Sequence, residues 1–444
     1  SGHRIGPMEL IVHLTSVDKL SLMRTLVRAR TFGTLIVVLL ALSILLAASA
    51  AQILDRQDQV QRFTRPLEFD YLTWTARALG KKLGQFGLGA PGFLTNEARN
   101  QVVLDYLELV RESVRLRGDL ERTLSDPNLP EPQLAAQPIS DELEQVRGRL
   151  EVLKPLAETV LQENVAVVLE ENGLGAGGSP FPPVAFQISE LPVALIVSPR
   201  DAIRQDANLQ LDPGLNLEDQ IDLEAKIEDE LDVSALVVGI GGLSTYPTMI
   251  MESTSIEWLT ETIVHEWAHL YLAFRPLGLG YDQSPETRTI NETVAGIVGR
   301  EIGREVLARY YPEFLPDPTP EPAPTSAIGP TPEPPGFDFR AEMRETRIRV
   351  DELLAEGSLE EAEEYMEARR QVFWDNGYRH IRRINQAYFA FYGAYADSPR
   401  GEAGEDPIGE AVRAVWDQIG DPAEFLRKMA WLTSLEQVQA LLES

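Results

Sequence analysis

No cysteine occurs among the 444 residues, which excludes a disulfide framework and any metal site built on thiolates. An oxidising compartment stays compatible with a chain that has no thiols to oxidise. Histidine is scarce too, with five in all, so two at a meaningful spacing carry weight. Basic residues are outnumbered, 40 Lys and Arg against 69 Asp and Glu, and the net charge is −29. Such a surface repels phosphate backbones, which argues against nucleic acid as a partner, and it speaks against flat adsorption on an anionic bilayer. Its plain meaning is a self-repelling acidic exterior. With 44% hydrophobic and 25% charged residues, the chain can bury a sizeable core and has the length for two or three domains.

Charge itself is missing from one stretch. Residues 31–54 carry none, and Leu35 to Leu46 form an apolar centre. Roughly 20 such residues cross a bilayer as a helix, so this is a candidate transmembrane anchor. Lys19, Arg24, Arg28 and Arg30 precede it, whereas Asp55 and Arg56 nearly cancel behind it. The positive-inside rule then puts the N-terminus in the cytoplasm and everything after about residue 55 outside. Ala48-Ser49-Ala50 resembles a signal-peptidase site, but the long preceding segment favours an uncleaved anchor. Residues 1–7 read as a tag remnant, with Met8 the native start.

Behind the anchor, 55–173 reads as a helical spacer or bundle. Val103, Leu107, Val110 and Val114 step at helical spacing in a helix from Thr95 to Leu124, and Ile139 to Leu169 forms a second. A Gly-rich break from Gly173 to Pro180 opens a different pattern over 174–311. Phe181 to Phe186, Val193 to Ser198 and the run beginning at Ser234 read as strands, with an acidic helix from Leu217 to Leu231. Residues 312–337 form a Pro/Glu/Thr tract that reads as a mobile, extended surface segment. Beyond it, 338–444 reads as helical. There Gly357 suits a helix end, Ser358 the next N-cap, and Asn385, Tyr388, Tyr392 and Tyr395 share one helical face.

The chemistry concentrates in Val264-His265-Glu266-Trp267-Ala268-His269-Leu270. On a helix, residues i and i+4 project roughly 40° apart, so His265 and His269 point from one face and can share one tetrahedral Zn²⁺. Glu266, next along, reaches a water at the same ion as a general base. Ser253, Thr254 or Ser255 can cap this helix, which runs from Ile256 to about Phe274. After a loop rich in breakers comes a second apolar helix, Thr289 to about Tyr311, carrying Asn291-Glu292-Thr293-Val294-Ala295. A Glu on a following helix is the third protein ligand in His₂Glu zinc hydrolases.

H-E-x-x-H followed by N-E-x-x-A resembles the gluzincin metallopeptidases, the clan of thermolysin and the zinc aminopeptidases. The resemblance implies His265, His269 and Glu292 as zinc ligands and Glu266 as base. It also implies an edge strand that pairs with extended substrate, for which Gly241, Gly242 and Tyr246 are the candidates, and a downstream oxyanion donor. Tyr395, Tyr392 and His380 are the candidates for that donor. Residues 230–400, including the helix pair around Leu353 to Ala362 and the Asn385-Gln386-Ala387 stretch, are similar to a family of uncharacterised, membrane-associated predicted zinc aminopeptidases of bacteria. Gly296 stands where thermolysin-like enzymes carry an acid that orients a ligand histidine, so that partner is unassigned. No G-A-M-E-N-type sequence appears; Glu252, Glu257, Glu261 and Asp282 stay open as groups for a substrate amine.

The expected architecture is α+β and mostly α: an N-terminal transmembrane helix, a helical spacer, a small sheet with the zinc-binding helices, and a helical C-terminal region completing the site. The expected function is hydrolysis of peptide bonds in peptides or proteins at the outer membrane face. A membrane-anchored binding or assembly protein with a structural zinc, and a zinc hydrolase of a non-peptide amide or ester, stay open. So does assembly as a homo-oligomer or with a helical partner.

Overall fold

The computed structural model describes residues 56–88, 95–175, 177–315, 337–393 and 407–443. The apolar run 31–54, most of the Pro-rich tract and Tyr395 lie outside the described residues. Among those described, no helix is long and apolar enough to cross a membrane.

Fourteen helices and six strands follow one another in the described chain. The first four helices are α1 (Arg56–Thr64), α2 (Tyr71–Leu88), α3 (Asn96–Ser125) and α4 (Pro132–Glu171). Strands β1 (Phe186–Ile188), β2 (Val193–Pro199) and β3 (Ala207–Leu211) lead to α5 (Leu217–Leu231). Then come β4 (Val233–Gly239), β5 (Gly242–Leu243), β6 (Thr248–Ile250), α6 (Ile256–Leu272), α7 (Pro276–Leu279) and α8 (Pro285–Tyr310). The C-terminal helices are α9 (Phe339–Ala355), α10 (Leu359–Asp375), α11 (Gln386–Tyr392), α12 (Pro407–Ile419), α13 (Pro422–Met429) and α14 (Leu435–Leu442).

The fold is mostly helical α+β, with two three-stranded sheets rather than one. In the first, β2 lies antiparallel between β3 and β4. Its side chains alternate faces. Leu195 and Val197 join Leu223 and Ile227 of α5 on one side, while Ala194 and Ile196 join Met343, Phe373 and Phe389 of α9–α11 on the other. Burial on both faces is why this strand reads as an unbroken apolar run.

The second sheet has the order β1-β6-β5, with β1 parallel and β5 antiparallel to β6. Phe186, Ile188 and Ile250 turn into the largest core, which also takes side chains from α3, α4, α6, α8 and α12–α14. The helices expected as a spacer therefore share a core with the H-E-x-x-H helix, and the described residues from Arg56 onward pack as one compact unit.

Several boundaries differ from the sequence reading for identifiable reasons. The strand expected over Phe181–Phe186 begins only at Phe186, after Pro182 and Pro183, which have no N–H for a ladder. The Glu292 helix starts at Pro285, not Thr289: Ser284 caps it at Thr287 N, and proline suits a first helical position, where no amide is needed. Helix α9, which reads as Arg347 to Glu356 from its charged pattern, starts at Phe339 because Asp338 caps Ala341 N. Gly357 does end that helix at φ +76°, but Ser358 makes no side-chain cap. Asn385 is the N-cap of α11, accepting from Tyr388 N, and so is no member of a helical stripe.

Candidate metal centre

Helix α6 is fixed at its start by Ser255, whose hydroxyl accepts from Trp258 N at 3.1 Å. Its partner α8 approaches closely because glycine stands at the crossing. A Cβ on Gly299 would lie 3.0 Å from His265 Cβ and 2.9 Å from Glu261 O, and one on Gly303 would lie 3.0 Å from the Glu261 backbone. With Gly303 at Glu261, Gly299 at His265 and Asn291 at His269, the two helices run antiparallel. Glu292 thereby comes opposite the histidines.

His265 Nε2 and His269 Nε2 are 3.1 Å apart, and Glu292 Oε2 is 3.5 Å from the first and 3.4 Å from the second. Two ligands on a tetrahedral zinc stand about 3.3 Å apart, so this triangle has the size that one small ion requires. Glu292 is only 4% exposed, and its Oε2 has no hydrogen-bond partner. A buried carboxylate oxygen without a partner is costly unless something cationic completes it. The residues present therefore fit a metal, and His265, His269 and Glu292 can hold one.

The surrounding side chains aim the donors. Asn291 Nδ2 donates to Leu277 O at 3.3 Å, which turns its Oδ1 to His269 Nδ1 at 2.7 Å. His269 then carries its hydrogen on Nδ1 and presents Nε2 to the triangle. Asn291 is thus the orienting partner that the sequence left unassigned. The Tyr281 hydroxyl donates to Glu292 Oε1, the other carboxylate oxygen, and its ring meets His269 edge-on at 6.1 Å. Burial acts to lower the His269 pKa, but the Glu292 carboxylate, helped by Glu266 and Asn291, outweighs it and lifts the value to about 9. Burial acts to raise Glu292, and the two histidines hold it well below the usual carboxylate range.

Glu266 is buried on α6 and accepts from Ser244 Oγ. A Cβ on Gly242 would come within 2.2 Å of Glu266 Oε1, so only glycine leaves room for the carboxylate there. Met251 N donates to Gly241 O, and Gly242 pairs with Ile250. In an antiparallel ladder this makes Gly242 and Ile250 a non-hydrogen-bonded pair, with the Gly242 N–H and C=O turned away from β6. Strand β5 is a sheet edge, and among the described residues those two groups have no partner.

Of the other expected site residues, Gly241 lies against Trp258, whose ring a Cβ would meet at 3.0 Å. Tyr246 is 43% exposed just past the edge strand. Tyr392, half-buried, packs against Tyr388 of the core beneath the first sheet with the rings tilted by 49°, and His380 is exposed beside Tyr378. Those three belong to the α9–α11 layer rather than to the α6–α8 pair. Tyr281, on the breaker-rich loop between α6 and α8, stands at the His265, His269 and Glu292 group. Among the acids held open for a substrate amine, Glu252 accepts from Tyr106 OH at 3.2 Å and Asp282 pairs with Arg288 at 3.2 Å.

No family model matches the chain, and neither a curated protein nor a solved structure matches it.

Proposed function

We propose that the chain is a zinc-dependent peptidase of gluzincin type, anchored through residues 31–54 with its catalytic part outside the membrane. One observation carries the reading: a three-donor group with an unpartnered buried oxygen stands next to a carboxylate, Glu266, that itself abuts an open strand edge. Two imidazoles and one carboxylate suit Zn²⁺ and leave a fourth position free. When bound, the metal supplies Lewis-acid polarisation of a carbonyl and brings the pKa of water towards neutrality.

The protein's own groups do the rest. An extended peptide lies along β5, its backbone exchanging hydrogen bonds with Gly242 N–H and C=O. Glu266 takes a proton from the attacking water and hands it to the leaving amine as the C–N bond breaks. Ser244 holds one Glu266 oxygen, which leaves the other free for that transfer. Asn291 keeps His269 in the tautomer that donates from Nε2. A structural metal site has no use for a buried carboxylate beside an open edge, which favours this reading over a non-catalytic one.

The test is reconstitution. Treatment with a chelator abolishes peptide cleavage, and one equivalent of Zn²⁺ per chain restores it. Cleavage that persists without bound metal would contradict the reading.

A further inference from the structure

Glu292 has two oxygens, and they are treated differently. Oε2 is buried, has no hydrogen-bond partner and faces both imidazoles. Oε1 accepts the Tyr281 hydroxyl. The tyrosine ring is itself held, edge-on to His269 at 6.1 Å and with the Arg288 guanidinium 5.4 Å from its centroid on the other contact. Arg288 is buried, stands one helical turn before Glu292 on α8, and bonds Asp282, the residue after Tyr281. Short helix α7 and the turn behind it thus deliver a hydroxyl to one particular oxygen of a ligand carboxylate.

A carboxylate with both oxygens free can bind a metal through one or both, and binding through both fills the space that a water or a carbonyl would occupy. We propose that Tyr281 is a positioning residue that restricts Glu292 to a single donor oxygen and so keeps one position at the metal open. This rests on the metal reading above and adds to it the residue that decides between an open site and a closed one. Phenylalanine at 281 keeps the ring against His269 and Arg288 and removes only the hydroxyl. Without it Oε1 turns to the metal, and the ligand loses the hydrogen bond that fixes its rotamer.

Co²⁺ is the probe, because its visible absorption is strong in four-coordinate sites and weak in five- or six-coordinate ones. Wild type loaded with Co²⁺ gives the strong spectrum, while Tyr281→Phe gives a weaker one. Zn²⁺ affinity, measured by chelator competition, falls about 10–100-fold in the variant. An unchanged spectrum and affinity in Tyr281→Phe would overturn this inference and leave the metal reading intact. A wild type that takes up neither ion would overturn both. X-ray absorption on the zinc-loaded wild type needs no variant: one carboxylate oxygen in the inner shell is expected, and two would contradict the role of Tyr281.

Discussion

Glu224 on α5 and Glu292 on α8 are both removed from water, at 0% and 4% exposure. Glu224 is saturated: it accepts from Val237 N at 2.6 Å and takes a two-pronged clamp from Arg382 at 2.5 and 2.7 Å. Glu292 keeps an oxygen with no hydrogen-bond partner, facing two imidazoles at 3.5 and 3.4 Å. The two sheet edges differ in the same sense. On β4, Ala235 N donates to Glu228, Val237 N to Glu224, and Ala235 O accepts from Asn385, so side chains close the edge against any further strand. On β5, both Gly242 backbone groups lack a partner among the described residues, beside Glu266. At Glu224 and along β4 the polar groups are matched by side chains, whereas Glu292 Oε2 and the Gly242 backbone groups are left open.

Breaking the saturated side should cost the most stability and no chemistry. Glu224→Ala strands a buried amide and a half-buried arginine, and is expected to lower unfolding free energy by about 3–5 kcal/mol in urea titrations, with metal content unchanged. Breaking the open side should do the reverse. Gly242→Ala puts a methyl group into the Glu266 carboxylate, and displacing a catalytic group by about 1 Å is worth about 10²-fold in turnover. Bound metal is expected to stay at the wild-type level. A variant that lost both metal and stability would show that Gly242 serves packing instead.

A smaller effect sharpens the contrast between the two carboxylates. Arg382 keeps its charge at any working pH, whereas the metal-free His269 loses its proton only near pH 9. Below that pH an incoming ion must displace the proton, so metal affinity is expected to rise with pH up to about 9 and then level off. Calorimetry in two buffers of different ionisation enthalpy should record about one proton released per ion at neutral pH. No release would mean that the metal-free site carries no such proton.

Much of the site was legible because its signals are local. His265, Glu266 and His269 announce themselves by helical spacing, Ser255 by its position before an apolar run, and Glu292 by its place on the next helix. Gly242 stood out as glycine in a strand, although only the ladder shows that its amide points outward. The remainder depends on pairings across long stretches of sequence. Tyr281 sits among glycines and a proline that read as a plain turn, and nothing local says that its hydroxyl reaches a residue 11 positions on. Asn291 was noted as part of a motif, but its role requires both Leu277 O and His269 Nδ1. The aromatic stretch of 384–395 reads as core packing from its spacing and as a source of an oxyanion donor only from the resemblance. Apolar complementarity with Ala194 and Ile196 instead holds its described part beneath the other sheet. The sealing of β4 was invisible for the same reason, since Arg382 and Glu224 are 158 residues apart.

In the proposed reaction Glu266 works as a base next to a metal held by its neighbours. The most direct measurement compares wild type with Glu266→Gln for zinc content and for cleavage of a mixed peptide library read by mass spectrometry. One zinc per chain in both proteins, with new peptide termini produced by the wild type alone, is the predicted result, and the positions of those termini separate exopeptidase from endopeptidase action. Equal cleavage by Glu266→Gln, or zinc in both with cleavage in neither, would contradict the account.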